Sequence, residues 1–374
     1  MIARGTCHVF FAFLAAAKVD LERAQAIARA RPTERPRFQR ERRSPAYLDF
    51  DPPPLQITVP CAPVPIGSGR FATEARADVT IYDFGAFSVD YRVPFEDGLP
   101  ELARLSSALY DHVGLLGAAR ERVVELVEAI GPALAGERLA DVYEQYVVFD
   151  VASFDPAVPA RELLAKDELR HAIAQILRSE ERSLAESRVE DALRLSIAYG
   201  PDDLLVVDWS TALAVGGSAD ERLVLEFANA ELLELRNLDK RLDQDLEEAN
   251  RALQRRRRSL LGGAQLRRVA RLQVDSAMLY ESVNNAVSLL GDQWLAEVYG
   301  LIAERYDLEK WHGSIAHKLD TLDSIYQKIA DEASARRSEL LEIVIILLIA
   351  LEVQWGRLFG GLREWLAAGA AGVP

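Results

Sequence analysis

Proline is missing from the whole stretch between Pro201 and Pro374, although the 374-residue chain holds 16 prolines. A proline inside a helix costs about 3 kcal/mol, so this stretch is free to form long helices. Cysteine is scarce as well. Cys7 and Cys61 are the only two, which excludes a disulfide framework or a close thiolate metal pair and suits a reducing compartment. Basic residues are outnumbered, the net charge is -14, and a broad phosphate-binding surface is therefore excluded. Of the five histidines, His312 and His317 stand five apart rather than at the four-residue spacing of a helical zinc site. No lysine follows Gly67-Ser68-Gly69-Arg70 as a phosphate loop requires, and that tetrapeptide reads as a turn. No serine sits in a Gly-x-Ser-x-Gly elbow. We therefore expect no catalytic residue, no metal and no cofactor, and an uncertain, rather negative, answer on enzymatic activity.

What is present divides the chain in two. All prolines but the last lie at or before Pro201, and residues 1–217 read as an α+β domain with a small, mainly antiparallel sheet. The opening run Val9-Phe10-Phe11-Ala12-Phe13 follows Arg4 in the outline of a signal peptide, yet its β-prone residues read more simply as a buried first strand. Residues 32–65 form a Pro-rich, Arg-rich crossing. Val79 and Ile81, then Phe87, Val89 and Tyr91, alternate with polar neighbours around Asp83-Phe84-Gly85-Ala86, the pattern of a hairpin with one buried face. Tyr146 to Val151 and Leu204 to Trp209 read as strands, while Leu99 to Leu134 and Ala160 to Leu184 carry helical spacing. Asp202, Asp203 and Asp208 could be read as metal-binding carboxylates of a hydrolase, but a turn and a solvated position explain them better.

Residues 218–310 read as a helical hairpin. Ala228, Leu232, Leu235, Leu238, Leu242, Leu246, Ala249 and Leu253 form one stripe, with charged residues opposite. Arg255-Arg256-Arg257-Arg258 and Gly262-Gly263 close that helix, and a return helix is expected from Ala264. With Arg267, Arg268 and Arg271, the arginines make a basic corner that could meet an RNA, a ribosome or anionic lipid. Capping and solvation explain it more simply.

Residues 311–368 read as one long helix whose first half carries a seam, Ile315, Leu319, Leu322, Tyr326 and onward, suited to coiled-coil packing. Its second half contains an apolar segment at 340–355, with Leu340, Ile343, Ile346, Leu347, Ile349, Leu351 and Trp355 as the residues expected to meet a partner. The uninterrupted run Ile343 to Leu351 covers only about 14 Å, whereas a bilayer core is roughly 30 Å thick. Extending it encloses Glu342, Glu352 and Arg357. A C-terminal transmembrane helix, the seam of a homo-oligomer and a core helix within the same chain all stay open.

The hairpin Val79 to Val89 and the ending Glu339 to Val353 resemble the family required for meiotic nuclear division, also called domain of unknown function 155; Cys7-His8-Val9-Phe10 and His171 to Gln175 look similar to its segments too. The resemblance implies a C-terminal membrane-associated helix, oligomer formation and no established enzymatic activity. Its mitochondrial members are linked to the inner membrane and to mitochondrial translation. The expectation is thus a non-enzymatic scaffold, membrane-associated or oligomeric, on the cytoplasmic side of a bacterial inner membrane or in the cytoplasm. The alternative is an RNA- or ribosome-associated adaptor using Arg255 to Arg271.

Overall fold

A computed structural model describes residues 1–30, 53–136, 139–256 and 293–370. The chain falls into two compact units, one formed by Met1–Leu242 with Ser276–Ala316 and the other by Asp243–Asp275 with His317–Pro374.

The first unit is α+β, and its sheet is large rather than small. Its eight strands are β1 (Ile2–Leu14), β2 (Leu55–Pro60), β3 (Arg76–Ile81), β4 (Ala86–Gly98), β5 (Tyr143–Asp155), β6 (Ser196–Ile197), β7 (Leu204–Val207) and β8 (Thr211–Val215). They lie in the order β6-β7-β8-β5-β1-β4-β3-β2, every pair antiparallel except β8 with β5. The sheet outgrew its expectation because β1, β4 and β5 run 13 residues each and pair along almost their whole length. In addition, β2 emerges from the Pro-rich crossing. The opening apolar run is β1 itself, hydrogen-bonded on both sides and buried from Cys7 to Leu14, which is where a strand rich in Val and Phe belongs. The expected hairpin turn forms between β3 and β4. Gly85 there has φ +94°, and an added Cβ would sit 2.0 Å from the Ala16 carbonyl oxygen, so the turn needs a residue without a side chain.

Among the described residues the helices are α1 (Leu21–Ala30), α2 (Leu99–Leu109), α3 (Val113–Ile130), α4 (Ala160–Leu163), α5 (Asp167–Arg178), α6 (Glu186–Leu193), α7 (Ala219–Arg256), α8 (Gln293–Arg305) and α9 (Leu308–Ala370). Helical spacing from Leu99 onward is broken at Tyr110 and Asp111, where Asp111 takes a left-handed φ of 52° and His112 caps α3 by accepting the Leu115 amide.

Strand alternation gives the sheet two unlike faces. Cys7, Val9, Phe11 and Phe13 of β1 share one with Val89, Tyr91 and Val93 of β4 and Val147, Phe149 and Val151 of β5; α2, α3, α5 and α6 close it into the main core. The opposite face carries His8, Phe10, Asp78, Thr80, Ser88, Asp90, Arg92 and Asp150. It too is covered, by the N-terminal half of α7. That half runs parallel to α8 and the start of α9, tied by Trp294 to Glu221 (2.9 Å), Tyr299 to Glu231 (2.8 Å) and Ser314 to Asp239 (3.0 Å). The return helix expected from Ala264 lies outside the described residues. In the second unit, Lys318 pairs with Asp243 at 2.7 Å, and Ala249 and Leu322 are buried.

Candidate functional site

The expected partner-binding residues lie on α9. Nine aliphatic side chains, Leu341, Ile343 to Ile349 and Leu351, are each between 48% and 63% exposed. They point to every side of the helix because nine near-consecutive residues at 100° intervals leave no face polar. Ile343, Ile346, Leu347, Ile349 and Leu351 are thus bare; the side chains of Leu340 and Trp355 lie outside the described residues. Among the described residues no helix is long and apolar enough to cross a membrane, which corrects the reading of this segment as a transmembrane helix. The physical reason is length: nine residues reach about 14 Å, and charge begins at Glu342 and Glu352.

Of the basic corner, Arg255 and Arg256 belong to the last turn of α7, where their side chains are outside the described residues. Arg257, Arg258, Arg267, Arg268 and Arg271 lie outside the described residues altogether.

Sequence reasoning missed the polar chemistry on the sheet. His8 and Arg92 are register partners across β1 and β4, Asp90 faces Asp78 across β4 and β3, and Thr58 faces Asp78 across β2 and β3. The pairing places them in one patch. His8 Nδ1 lies 2.9 Å from Asp90 Oδ2, Arg92 pairs with Asp78 and stands 3.7 Å from Asp90, and Thr58 donates to Asp78 at 2.6 Å. From α7, Arg222 pairs with Asp150 and Glu226 faces the hydroxyls of Ser88 and Thr80. His8, Thr58, Asp78, Asp90, Arg92 and Glu226 line a cavity of about 60 Å³, enough for a few water molecules. Burial, and then the charge of Asp90, push the Glu226 carboxyl up to about 8. Further along α7, burial raises Glu234 to about 7. These carboxylates correct the expected solvated side of α7. Alternation had put Ser88 and Asp90 on the hairpin's polar side with only the other face buried; this side is buried too, because α7 covers it, and no periodicity says that a distant helix will do so.

Asp208 is likewise not solvated. It is fully buried at the end of β7, 2.6 Å from Arg178 Nε and 2.9 Å from Arg305 Nη2, and the Tyr146 hydroxyl donates to its carbonyl at 3.1 Å. Burial raises its carboxyl to about 6 against the pull of both arginines. It is a structural tie joining α5 and α8 to β7. Asp203, as expected, makes a turn, accepting the Tyr199 amide at 3.0 Å. His312 and His317 do not act together: His312 Nε2 is 3.3 Å from Glu231, whereas His317 faces outward. Among the described residues no group of three His, Cys, Asp or Glu side chains could hold a metal ion.

Comparison with known proteins rests on the sheet-bearing part. A protein of Methanocaldococcus jannaschii described as "Uncharacterized protein MJ0711" is 26% identical over 188 residues, which are 48% of this chain and 57% of that relative's length. The chain thus spans little more than half of its relative. No solved structure matches. Nothing links the chain to the meiotic nuclear division family; the hairpin that suggested it is a common strand-turn-strand element, and it falls inside the segment assigned otherwise. Residues 4–221, more than half of the chain and nearly the whole eight-stranded sheet, match the family described as "Uncharacterized protein MJ0711, N-terminal domain", and the chain belongs to that family.

Proposed function

We propose that the protein is a non-enzymatic scaffold whose copies assemble through the aliphatic segment of α9. The observation that carries this reading is the exposure of nine large aliphatic side chains on all sides of one helix. Covering the exposed half of each is worth roughly 1 kcal/mol, while association costs on the order of 4–15 kcal/mol. A pairwise contact that covers one face engages about a third of them on each copy, about 6 kcal/mol against that cost, and leaves the other two thirds in water. A bundle engages nearly all. A second copy supplies a segment of matching length and character, free of charge from Ile343 to Leu351, so the expected assembly contains at least three chains rather than two.

Placing Glu at two positions one turn apart, Ile346→Glu with Ile349→Glu, buries two like charges per copy at the bundle axis. Size-exclusion chromatography should show the doubly substituted chain as a monomer with unchanged far-UV circular dichroism. An assembly that survives both substitutions would refute the segment's role, and adsorption of the wild-type chain to anionic vesicles without self-association would move the contact to a membrane surface.

A further inference from the structure

A second cavity, of about 270 Å³, opens at the other end of the sheet, where β5 and β8 begin. Its walls are unlike those of the cavity under α7. Tyr110 and Trp209 are 61% and 52% exposed there, and Tyr143 lines the same hollow beside Asp111 and Glu144. Large aromatic side chains left half bare around a concave site are poor solvent neighbours and good faces for a cation. The indole of Trp209 already takes one: the Arg305 guanidinium lies 5.8 Å from its ring centre.

Electrostatics point the same way. Helices α2 and α5 both end at this cavity, at Tyr110 and at the left-handed Ser179, so two helix C-termini direct partial negative charge into it. Asp111 and Glu144 against Arg236 leave the wall at a net of -1, and Arg236 is itself occupied by Glu144. One acceptor is left over. Thr211 is 1% exposed, lines the cavity, and its hydroxyl makes no hydrogen bond among the described residues. An orphaned buried hydroxyl costs on the order of 1–3 kcal/mol, which a ligand's N–H would relieve.

We infer that this cavity binds a small primary alkylammonium group, with Tyr110, Tyr143 and Trp209 around the cationic nitrogen and its alkyl stem, and with Asp111 and Thr211 accepting its N–H hydrogens. The site lies wholly in the first compact unit, and its occupation is independent of assembly through α9. Butylammonium is the probe, and 1-butanol, of nearly the same shape without the charge, is its comparator. Isothermal titration calorimetry of the full-length chain should give saturable binding of butylammonium and at least about tenfold weaker binding of 1-butanol. Trp209→Ala and Asp111→Asn should each weaken butylammonium roughly threefold to thirtyfold, Asn being chosen because it tolerates the left-handed backbone. Glu226→Gln, in the other cavity, should leave it unchanged. Equal affinity for the alcohol would reduce the site to an apolar hollow and overturn the proposal, as would absence of butylammonium binding or indifference to both substitutions in chains that retain the wild-type melting temperature.

Discussion

The two faces of the eight-stranded sheet are buried to similar depth by different means. On one, Phe11, Phe13, Val89 and Phe149 pack under α2, α3 and α5 among titratable groups, the Cys7 thiol and the Tyr91 phenol, that burial keeps neutral. On the other, His8, Asp78, Asp90 and Arg92 are sealed under α7 by ion pairs and by the buried Glu226. The first face gains free energy from area alone and is indifferent to pH. The second is stable only while its charges remain matched, and its contribution moves with protonation. The same strands thus carry an unconditional core and a conditional joint.

The sharpest way to break the comparison is to open the apolar face and, beside it, the buried ion-pair tie at the end of β7. Phe149→Ala on the apolar side should cost about 3–5 kcal/mol by urea unfolding, equally at pH 5 and pH 8. Asp208→Ala, which leaves Arg178 and Arg305 only the part-exposed carboxylate of Asp191 between them, should cost about 1–3 kcal/mol. A loss below 1 kcal/mol would show that water already serves those arginines.

The joint's signature is its pH slope. Glu226 has its folded pKa raised from the ordinary 4.5 to about 8, so between these values the folded chain holds a proton that the unfolded chain has released. Stability therefore falls as pH rises through that window, at a limit of about 1.4 kcal/mol per pH unit. Glu226→Gln keeps a neutral side chain at every pH and should reduce the slope between pH 5 and pH 8 by up to about 1.4 kcal/mol per pH unit, leaving the part that Glu234 and Asp208 contribute. An unchanged slope would assign it to Glu234 instead, which burial raises to about 7.

At the periphery of the same joint, Arg222→Gln releases Asp150, a pair about four-fifths buried, and should cost roughly 1 kcal/mol. Smallest of all, Arg4→Gln removes an exposed pair with Glu96 across the ends of β1 and β4 and should change stability by less than about 0.5 kcal/mol. Thermal melts of the two variants side by side test the ordering.

Much of the architecture was legible because strand alternation is local. Val79, Ile81, Phe87, Val89 and Tyr91 announce the hairpin, and the proline-free stretch announces α7 and α9. The extent of the sheet was not, since β2 hides among prolines and β8, Thr211-Ala212-Leu213-Ala214-Val215, is rich in the weak strand former Ala. The break between α2 and α3 was hidden as well: it rests on a left-handed Asp111 rather than on glycine or proline. Harder still was the site. Asp90, Arg92 and Glu226 each look solvent-facing on their own element, and only the packing of α7 across β4 buries them together. The aliphatic segment of α9 could be read directly, because its lack of a polar side is a property of consecutive residues; its host could not.

That host is settled most directly by the mass of the unaltered full-length chain in solution, measured by static light scattering across a dilution series at micromolar concentration. Assembly through α9 predicts a species of three or more chains that dissociates on dilution. A mass of one chain throughout the series would contradict it.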